Sequence, residues 1–290
     1  MNISRITDFK TLSRSISLVE NEAVGFEELL LSLQPTNIPV IGFTGPPGAG
    51  KSSLINALVS ELLAQGKKLG LILIDPSSPF NFGALLGDRL RLSAHFNHPN
   101  LFIRSLASRG SLGGLSDKII EVLEVMRSYP FDYLFIETVG VGQGEVEIAG
   151  LADTTVVVLV PESGDSIQTM KAGLMEIADV FVINKADRAD AEAIANSLQG
   201  QLELSHRETP VIKTVAVEAK GIGDLLNALN AQHESGQNRD RKLLLLTEKA
   251  LRLIAKNRMK SFDTKALKTE LREALLSPSF NLYSFVKKHL

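Results

Sequence analysis

The chain has 290 residues, of which 44% are hydrophobic and 22% charged, and its formal net charge is -2. This balance is typical of a globular protein, and the small net charge provides no field that would recruit nucleic acid or an anionic membrane. Cysteine is absent, which excludes disulfides, thiolate metal sites and cysteine nucleophiles. The sequence shows neither the apolar core of a signal peptide nor an apolar run of about 20 residues, so we expect a cytoplasmic protein.

Seven short apolar runs predict buried strands. Each is rich in Val, Ile and Leu and apolar on both faces, as strands covered by helices on two sides must be. The runs begin at Ile38, Leu69, Leu101, Phe131, Thr154, Val180 and Pro210. Helical stretches lie between them, for example Lys51 to Gln65 and Leu115 to Arg127. This alternation predicts an α/β fold with a mostly parallel, doubly wound sheet, whose ligands bind beyond the carboxyl ends of the strands.

The two flanks carry no strand pattern. The N-terminal flank contains the amphipathic stretch FKTLSRSISLVE, and the polar run from Gln232 to Asp240 predicts a linker before two amphipathic helices and a short last one. We therefore expect a helical N-terminal extension (1–36), a sheet domain (37–235) and a helical C-terminal arm (236–290). The pattern alone leaves open whether the arm packs on its own domain or forms a dimer.

Residues 45–52 read GPPGAGKS and match the G-x-x-x-x-G-K-[ST] phosphate loop between a predicted strand and a predicted helix. The glycines let backbone N–H groups turn toward an anion, and the helix N-terminus adds the positive end of its dipole. We expect Lys51 to reach the β- and γ-phosphates and the Ser52 hydroxyl to bind Mg²⁺. The predicted phosphate-binding residues are Gly45, Pro46, Pro47, Gly48, Ala49, Gly50, Lys51, Ser52 and Ser53.

The stretch Asn184-Lys185-Ala186-Asp187 at the end of a late strand is typical of the guanine-reading motif of GTPases. The Asp187 carboxylate can accept from N1–H and from the exocyclic amine of guanine, whereas adenine would leave it desolvated and without donors. Such mispairing supports roughly 10⁴-fold discrimination between bases. We expect Asn184 to orient the loop or touch the base edge, and the Lys185 stem to lie along the ring.

A second contact with the base is expected just after the last predicted strand. In GTPases this loop often carries Ser-Ala, and here the corresponding stretch is Thr214-Val215-Ala216-Val217, with Val215 at the serine position. The backbone N–H of Ala216 is expected to contact guanine O6. The predicted base-binding residues are Asn184, Lys185, Asp187, Val215, Ala216 and Val217.

Three carboxylates follow strand ends or adjoining loops on the same side of the predicted sheet. They belong to Asp75, Asp88 and Glu137. Mg²⁺ takes oxygen ligands and keeps several waters that further carboxylates can hold. We therefore predict a Mg²⁺ site formed by Ser52 with these three residues, and a catalytic set formed by Lys51 with the same three.

These residues lie within longer stretches that together resemble a known family. The chain looks like the methylmalonyl-CoA mutase-associated GTPases, the MeaB or ArgK family, from about Ser13 to Arg188 and in its helical C-terminus. The matching stretches are SRSISLVEN, GFTGPPGAGKSSLINAL, IDPSSPF, GALLGDRLRL, FIRSLASRGSLGGLS, IETVGVGQGEVEIAGLADTTVVVLVPESGDSIQTMKAG and EIADVFVINKADR.

The resemblance implies a GTP- and Mg²⁺-dependent chaperone of an adenosylcobalamin-dependent acyl-CoA mutase. Such a protein gates cofactor delivery to the mutase and protects it from inactivation. Its GTP hydrolysis is slow until the mutase stimulates it, and it forms a homodimer through its C-terminal helices. Nucleic acid and membranes are not expected partners.

The resemblance also implies three nucleotide-responsive switches, at Asp75–Arg91, Glu137–Glu145 and Pro161–Lys171. Gly140 in the second is expected to bond the γ-phosphate through its N–H, so that loss of this phosphate releases the loop. Arg109 and Lys171 are candidates for charge contacts that form on activation. The alternative is that both are ordinary solvated side chains, and this reading is favoured for Arg109.

The chain departs from the family pattern in three places near the candidate switches. Asn81-Phe82 stands where the family usually has Thr-Gly, Ser111 replaces a histidine and Gly144 replaces a serine. These departures bear on coupling to a mutase more than on nucleotide binding.

Three other functions each require features that can be compared with the sequence. A nickel-insertion GTPase needs His or Cys clusters, but the five histidines are scattered and only His95 and His98 are close in sequence. A kinase acting on a transport protein would need ATP, against which Asp187 argues. A nucleotide-dependent assembly module would change its dimer geometry without partner-stimulated turnover.

Overall fold

The computed structural model describes residues 6–34, 36–75, 95–107, 118–138, 144–163, 172–235, 239–259, 262–277 and 279–289. The side chain of Asp75 lies outside this description, as do Asp88, Arg109, Ser111, Gly140 and Lys171. Most of each predicted switch therefore also lies outside it.

A seven-stranded parallel sheet forms the centre of the fold, and it confirms the predicted fold class. Its order is β3-β2-β4-β1-β5-β6-β7, and every strand pair is parallel. The strands are β1 (Val40–Thr44), β2 (Leu69–Asp75), β3 (Leu101–Ala107), β4 (Tyr133–Glu137), β5 (Thr154–Leu159), β6 (Val180–Asn184) and β7 (Val211–Thr214).

Helices lie between and beside these strands. In the described part of residues 1–235 they are α1 (Phe9–Glu20), α2 (Phe26–Ser32), α3 (Lys51–Ala64), α4 (Ile119–Arg127), α5 (Gly144–Leu151), α6 (Ala172–Ile177), α7 (Ala191–Leu204) and α8 (Ile222–Ser235). Short 3₁₀ helices follow β5 at Pro161–Ser163 and β7 at Ala216–Glu218.

Apolar residues along one strand alternate between two cores, as a sheet covered on both faces requires. In β5, Val156 and Val158 join a core that includes side chains of α3 and α8. Val157 and Leu159 join a second core that includes side chains of α7. This arrangement explains why the strands read as continuous apolar runs in the sequence.

The predicted N-terminal helix forms as α1 and packs against the sheet domain. Its buried face includes Leu12, Ile16 and Val19. The ring of Phe9 lies 5.4 Å from that of Phe102 and 5.3 Å from that of Tyr129, measured between centroids. Packing of this amphipathic face, rather than helix propensity, therefore holds the extension in place.

The chain divides into two compact units, residues 1–243 and residues 244–290. The second contains most of α9 (Arg239–Arg258) together with α10 (Thr264–Ala274) and α11 (Leu282–Val286). Its apolar side chains are largely exposed, and among the described residues of this unit Phe285 is the buried hydrophobic one. In the described part of the whole chain, no helix has the length and apolar character required to cross a membrane.

The predicted linker from Gln232 to Asp240 is shorter in the structure. Helix α8 continues to Ser235 and α9 begins at Arg239, which leaves only residues 236–238 between the two helices. Polar residues such as Gln and Glu are good helix formers when solvated, so polarity alone does not end a helix.

Candidate functional site

The predicted site residues that the structure describes lie at the carboxyl edge of the sheet. The order of the strands places the ends of β2, β4, β1, β5, β6 and β7 side by side along this edge. Glu137 ends β4, the 45–50 loop follows β1, and Asn184 ends β6. Ligands of open parallel sheets bind at this edge.

The phosphate loop links β1 to the N-terminus of α3, which begins at Lys51. Gly45 has φ 136°, and a Cβ atom there would lie 2.2 Å from the carbonyl oxygen of Val158. Gly50 has φ 85°, and its Cβ would lie 2.4 Å from the Asn184 Nδ2. Both positions favour glycine because the backbone has positive φ. A side chain at Gly45 would also meet backbone atoms, whereas one at Gly50 would meet the end of the Asn184 side chain.

Lys51 is buried within the loop that it follows. Its Nζ donates to the carbonyl oxygens of Gly45 at 2.8 Å and Pro46 at 3.2 Å. The ammonium group is therefore already held over the loop by backbone dipoles. Phosphate oxygens placed there would replace neutral acceptors with charged ones, which form stronger hydrogen bonds.

Ser52 and Glu137 form the centre of the predicted metal site. The Ser52 hydroxyl donates to Glu137 Oε1 at 2.6 Å, and both side chains are buried. A hydroxyl beside a buried carboxylate provides the hard oxygen donors that Mg²⁺ prefers, so these two residues fit the ion. Within the described ranges there is no group of three or more His, Cys, Asp or Glu side chains that could hold a metal.

A cavity of about 170 Å³ lies between the phosphate loop and the ends of β6 and β7. All six predicted base-binding residues line it. Its lining residues are Gly50, Ser53, Asn184, Lys185, Asp187, Arg188, Val215, Ala216 and Val217. The structure therefore brings the NKAD motif, the 215–217 stretch and the start of α3 around one small pocket.

Asn184 connects the base pocket to the phosphate loop. Its Nδ2 donates to the Ala49 carbonyl at 3.0 Å, and its Oδ1 accepts from Thr214 Oγ1 and from the Ala216 N–H, each at 3.2 Å. Asn184 is only 2% exposed, so its amide oxygen requires these protein donors. The contact of the Ala216 N–H with guanine O6 stays a prediction.

Lys185 makes a second connection between the two loops. Its backbone is left-handed, with φ 56°, and its Nζ donates to the carbonyl oxygen of Gly48 at 3.0 Å. The side chain therefore spans the space between the NKAD turn and the phosphate loop. Contact of its stem with the ring of the nucleobase stays a prediction.

Sequence reasoning missed two residues of this pocket region. The sequence assigns Thr214 no role of its own, yet its hydroxyl donates to Asn184 Oδ1. Arg188 lines the cavity directly after the NKAD motif and forms a salt bridge with Glu162. Adjacency to the motif was a signal for Arg188. Glu162 lies in the third predicted switch, but nothing in the sequence pairs it with Arg188, which lies 26 positions away.

The histidine pair considered for a metal site has other contacts. His95 Nε2 lies 2.9 Å from the Ser60 hydroxyl, and His98 Nδ1 accepts from the N–H of Asn100 at 3.2 Å. The His98 bond lies within a turn before β3, and the His95 bond joins this segment to α3. They give no support to a nickel site at this position.

The parallel sheet with its phosphate loop and NKAD pocket defines a P-loop GTPase. The family model described as "Methylmalonyl Co-A mutase-associated GTPase MeaB" matches residues 12–265. The chain belongs to this MeaB family, which confirms the resemblance and the assignment of GTP hydrolysis.

Relatives of known name are similar over most of the chain. A protein of Pyrococcus abyssi whose name assigns it to the GTPases is 48% identical over 236 residues, which cover 78% of this chain and 73% of the relative. The GTPase ArgK of Escherichia coli is 34% identical over 76% of this chain and 70% of its own. The fused isobutyryl-CoA mutase of Geobacillus kaustophilus is 35% identical over 72% of this chain, which corresponds to 21% of that protein.

Solved structures agree in fold. The crystal structure described as an LAO/AO transport system kinase matches with a TM-score of 0.67 at 22% identity and covers 99% of this chain and 93% of its own. The hydrogenase maturation factor HypB from Archaeoglobus fulgidus matches with a TM-score of 0.50 at 19% identity, over 76% of this chain and 99% of its own. At these identities the likeness shows the fold alone.

Proposed function

We propose that this chain is a GTP-dependent chaperone that assists an adenosylcobalamin-dependent acyl-CoA mutase in loading and protecting its cofactor. The observation that supports this proposal best is the Geobacillus kaustophilus relative, which is named a fused isobutyryl-CoA mutase. This chain corresponds to 21% of that protein, so a segment like it occurs in one polypeptide with the remainder. The family description points to the same kind of partner.

In this proposal Lys51, now bonded to two loop carbonyls, turns to the β- and γ-phosphates of GTP. Asp187 accepts from the Watson–Crick edge of guanine, while Asn184 and Lys185 hold the base pocket against the phosphate loop. Lys51 exchanges its bonds for phosphate oxygens, and Asp187 binds guanine in a preformed pocket. The affinity for the nucleotide therefore depends on both its phosphates and its base.

Mg²⁺ would be held by the Ser52 hydroxyl, with Glu137, Asp75 and Asp88 as ligands or as acceptors for its waters. When bound, the ion neutralises charge between the β- and γ-phosphates. The 2.6 Å bond from Ser52 to Glu137 orients the hydroxyl and positions the carboxylate beside the loop. We also propose that the Gly140 N–H meets the γ-phosphate.

We propose slow intrinsic hydrolysis and a homodimer formed through the 236–290 arm. The apolar side chains that the arm exposes in a single chain support the dimer, among them Leu251, Ile254, Leu275 and Leu276. Contiguous exposed apolar surface marks interaction sites. Sedimentation of the full chain should give twice the mass of one chain.

The proposed partner is tested by steady-state GTP hydrolysis of the purified protein, with and without the cobalamin-dependent mutase of the same source, and with ATP as control. We expect strong stimulation that is specific to GTP. If the mutase leaves GTP turnover unchanged, the chaperone role is refuted, while the assignment of GTP hydrolysis stands. A nucleotide-dependent change of dimer geometry without stimulation would favour an assembly module instead.

A further inference from the structure

Two oppositely charged side chains that are adjacent in the chain line the nucleobase cavity. They are Asp187 and Arg188. In the part of the chain that the structure describes, no hydrogen bond or salt bridge reaches the Asp187 side chain. A guanidinium group beside a carboxylate forms two parallel hydrogen bonds to it when the geometry allows. Such a pair would occupy the oxygens that guanine needs.

Arg188 is bonded elsewhere. Its Nη1 donates to Glu162 Oε1, and both side chains are about half exposed. Glu162 lies in the 3₁₀ helix Pro161–Ser163, directly beyond the end of β5. Because Leu159 of β5 pairs with Ile183 of β6, this helix is next to the NKAD turn at the same edge of the sheet.

We propose that Glu162 is a positioning residue of the base site, which holds the Arg188 guanidinium away from Asp187 and so keeps the Asp187 carboxylate available to guanine. The inference rests on the proposed base site and adds a residue from outside the NKAD motif. It links guanine selectivity to the segment that follows β5.

Another cation near Asp187, Lys220, is also paired with a glutamate. Lys220 forms a salt bridge with Glu218 at 2.6 Å. The pKa of Lys220 is raised, first by its bond to Glu218 and also by the charge of Asp187. Lys220 does not line the cavity. Lys185 does, but its Nζ donates to the Gly48 carbonyl oxygen, so Arg188 is the lining cation that an exposed carboxylate holds.

The test measures equilibrium binding of GDP and of inosine diphosphate, which lacks the exocyclic amine that Asp187 would accept. The ratio of the two affinities therefore reports the Asp187–amine bond. In Glu162→Gln we expect this ratio to fall about threefold to fivefold, since an exposed charge pair contributes a factor of about five at most. Arg188→Gln should leave the ratio near that of the wild type.

The double variant Glu162→Gln/Arg188→Gln should restore the ratio, because the competing cation is gone. Glu192→Gln is the matched control, since Glu192 forms an exposed salt bridge with Lys213 and neither residue lines the cavity. An unchanged ratio in Glu162→Gln, or a fall that the double variant does not reverse, would overturn the inference. A wild-type ratio near one would instead refute the base site itself.

Discussion

The phosphate half and the base half of the site prepare for their ligand in different ways. In the phosphate half the Lys51 and Ser52 side chains are buried, and protein acceptors already hold them. In the base half, Asp187 has no protein donor among the described residues, while Asn184 holds the surrounding loops in place. Binding of phosphates must therefore exchange bonds to protein acceptors, whereas binding of a base replaces water at the exposed Asp187 carboxylate.

This difference separates the two contributions to binding. The bonds exchanged at Lys51 pass from neutral carbonyls to charged phosphate oxygens, and those exchanged at Asp187 pass from water to donors that guanine offers and adenine lacks. The base half should therefore determine which nucleotide binds. The phosphate half should respond to the number of phosphates and to Mg²⁺, and the following variants test this division.

The largest expected effect is a change of base preference in Asp187→Asn. An amide that presents an N–H to the base suits xanthine, which carries a carbonyl where guanine has the amine. The preference for guanosine over xanthosine diphosphate should then fall on the order of 10⁴-fold. Competition binding with both nucleotides measures it, with Asp190→Asn as a control in the same loop. Unchanged selectivity would refute the role of Asp187.

Next in size is the loss of triphosphate binding in Lys51→Ala. Two hydrogen bonds to charged oxygens contribute about 1.5–3 kcal/mol each, so GTP affinity should fall about a hundredfold or more and hydrolysis should stop. Lys67→Ala removes an exposed lysine that is paired with Asp132 and serves as the control. Thermal unfolding checks that the fold is intact. Retained turnover would contradict the assignment of Lys51.

A smaller effect is expected for Mg²⁺ in Ser52→Ala. Loss of the hydroxyl removes a predicted ligand and the partner of Glu137, so the Mg²⁺ concentration that supports half-maximal GTP binding should rise about tenfold. GDP binding without Mg²⁺ should change much less. Ser60→Ala, whose hydroxyl bonds the Asn56 carbonyl in the same helix, provides the control. An equal loss with and without Mg²⁺ would argue against a metal role.

The smallest effect is expected from the contact that joins the two halves. In Gly50→Ala the new Cβ, built with ideal geometry, would lie 2.4 Å from Asn184 Nδ2. GDP affinity should fall several-fold beyond the effect of backbone strain, which costs about 1–2 kcal/mol. Gly48→Ala shares that strain at φ 79° but meets nothing within 4 Å. Equal losses in the two variants would show that the Asn184 contact is unimportant.

Local patterns predicted much of the fold and part of the site. The seven apolar runs became seven strands, because continuous burial on both faces leaves a clear signal in sequence. The phosphate loop formed between β1 and α3, since its glycines and its lysine act within a few residues of each other. The linker was misjudged because composition says little about where solvated helices end.

What the sequence alone determined, then, is the set of strands and the two nucleotide motifs, which depend on residues close together in the chain. Only the tertiary structure decided the order of the strands and the contacts across them. Asn184 bonds to Ala49 across 135 positions, and Arg188 bonds to Glu162 across 26. Such contacts arise from the packing of separate elements, and one sequence contains no periodicity that records them.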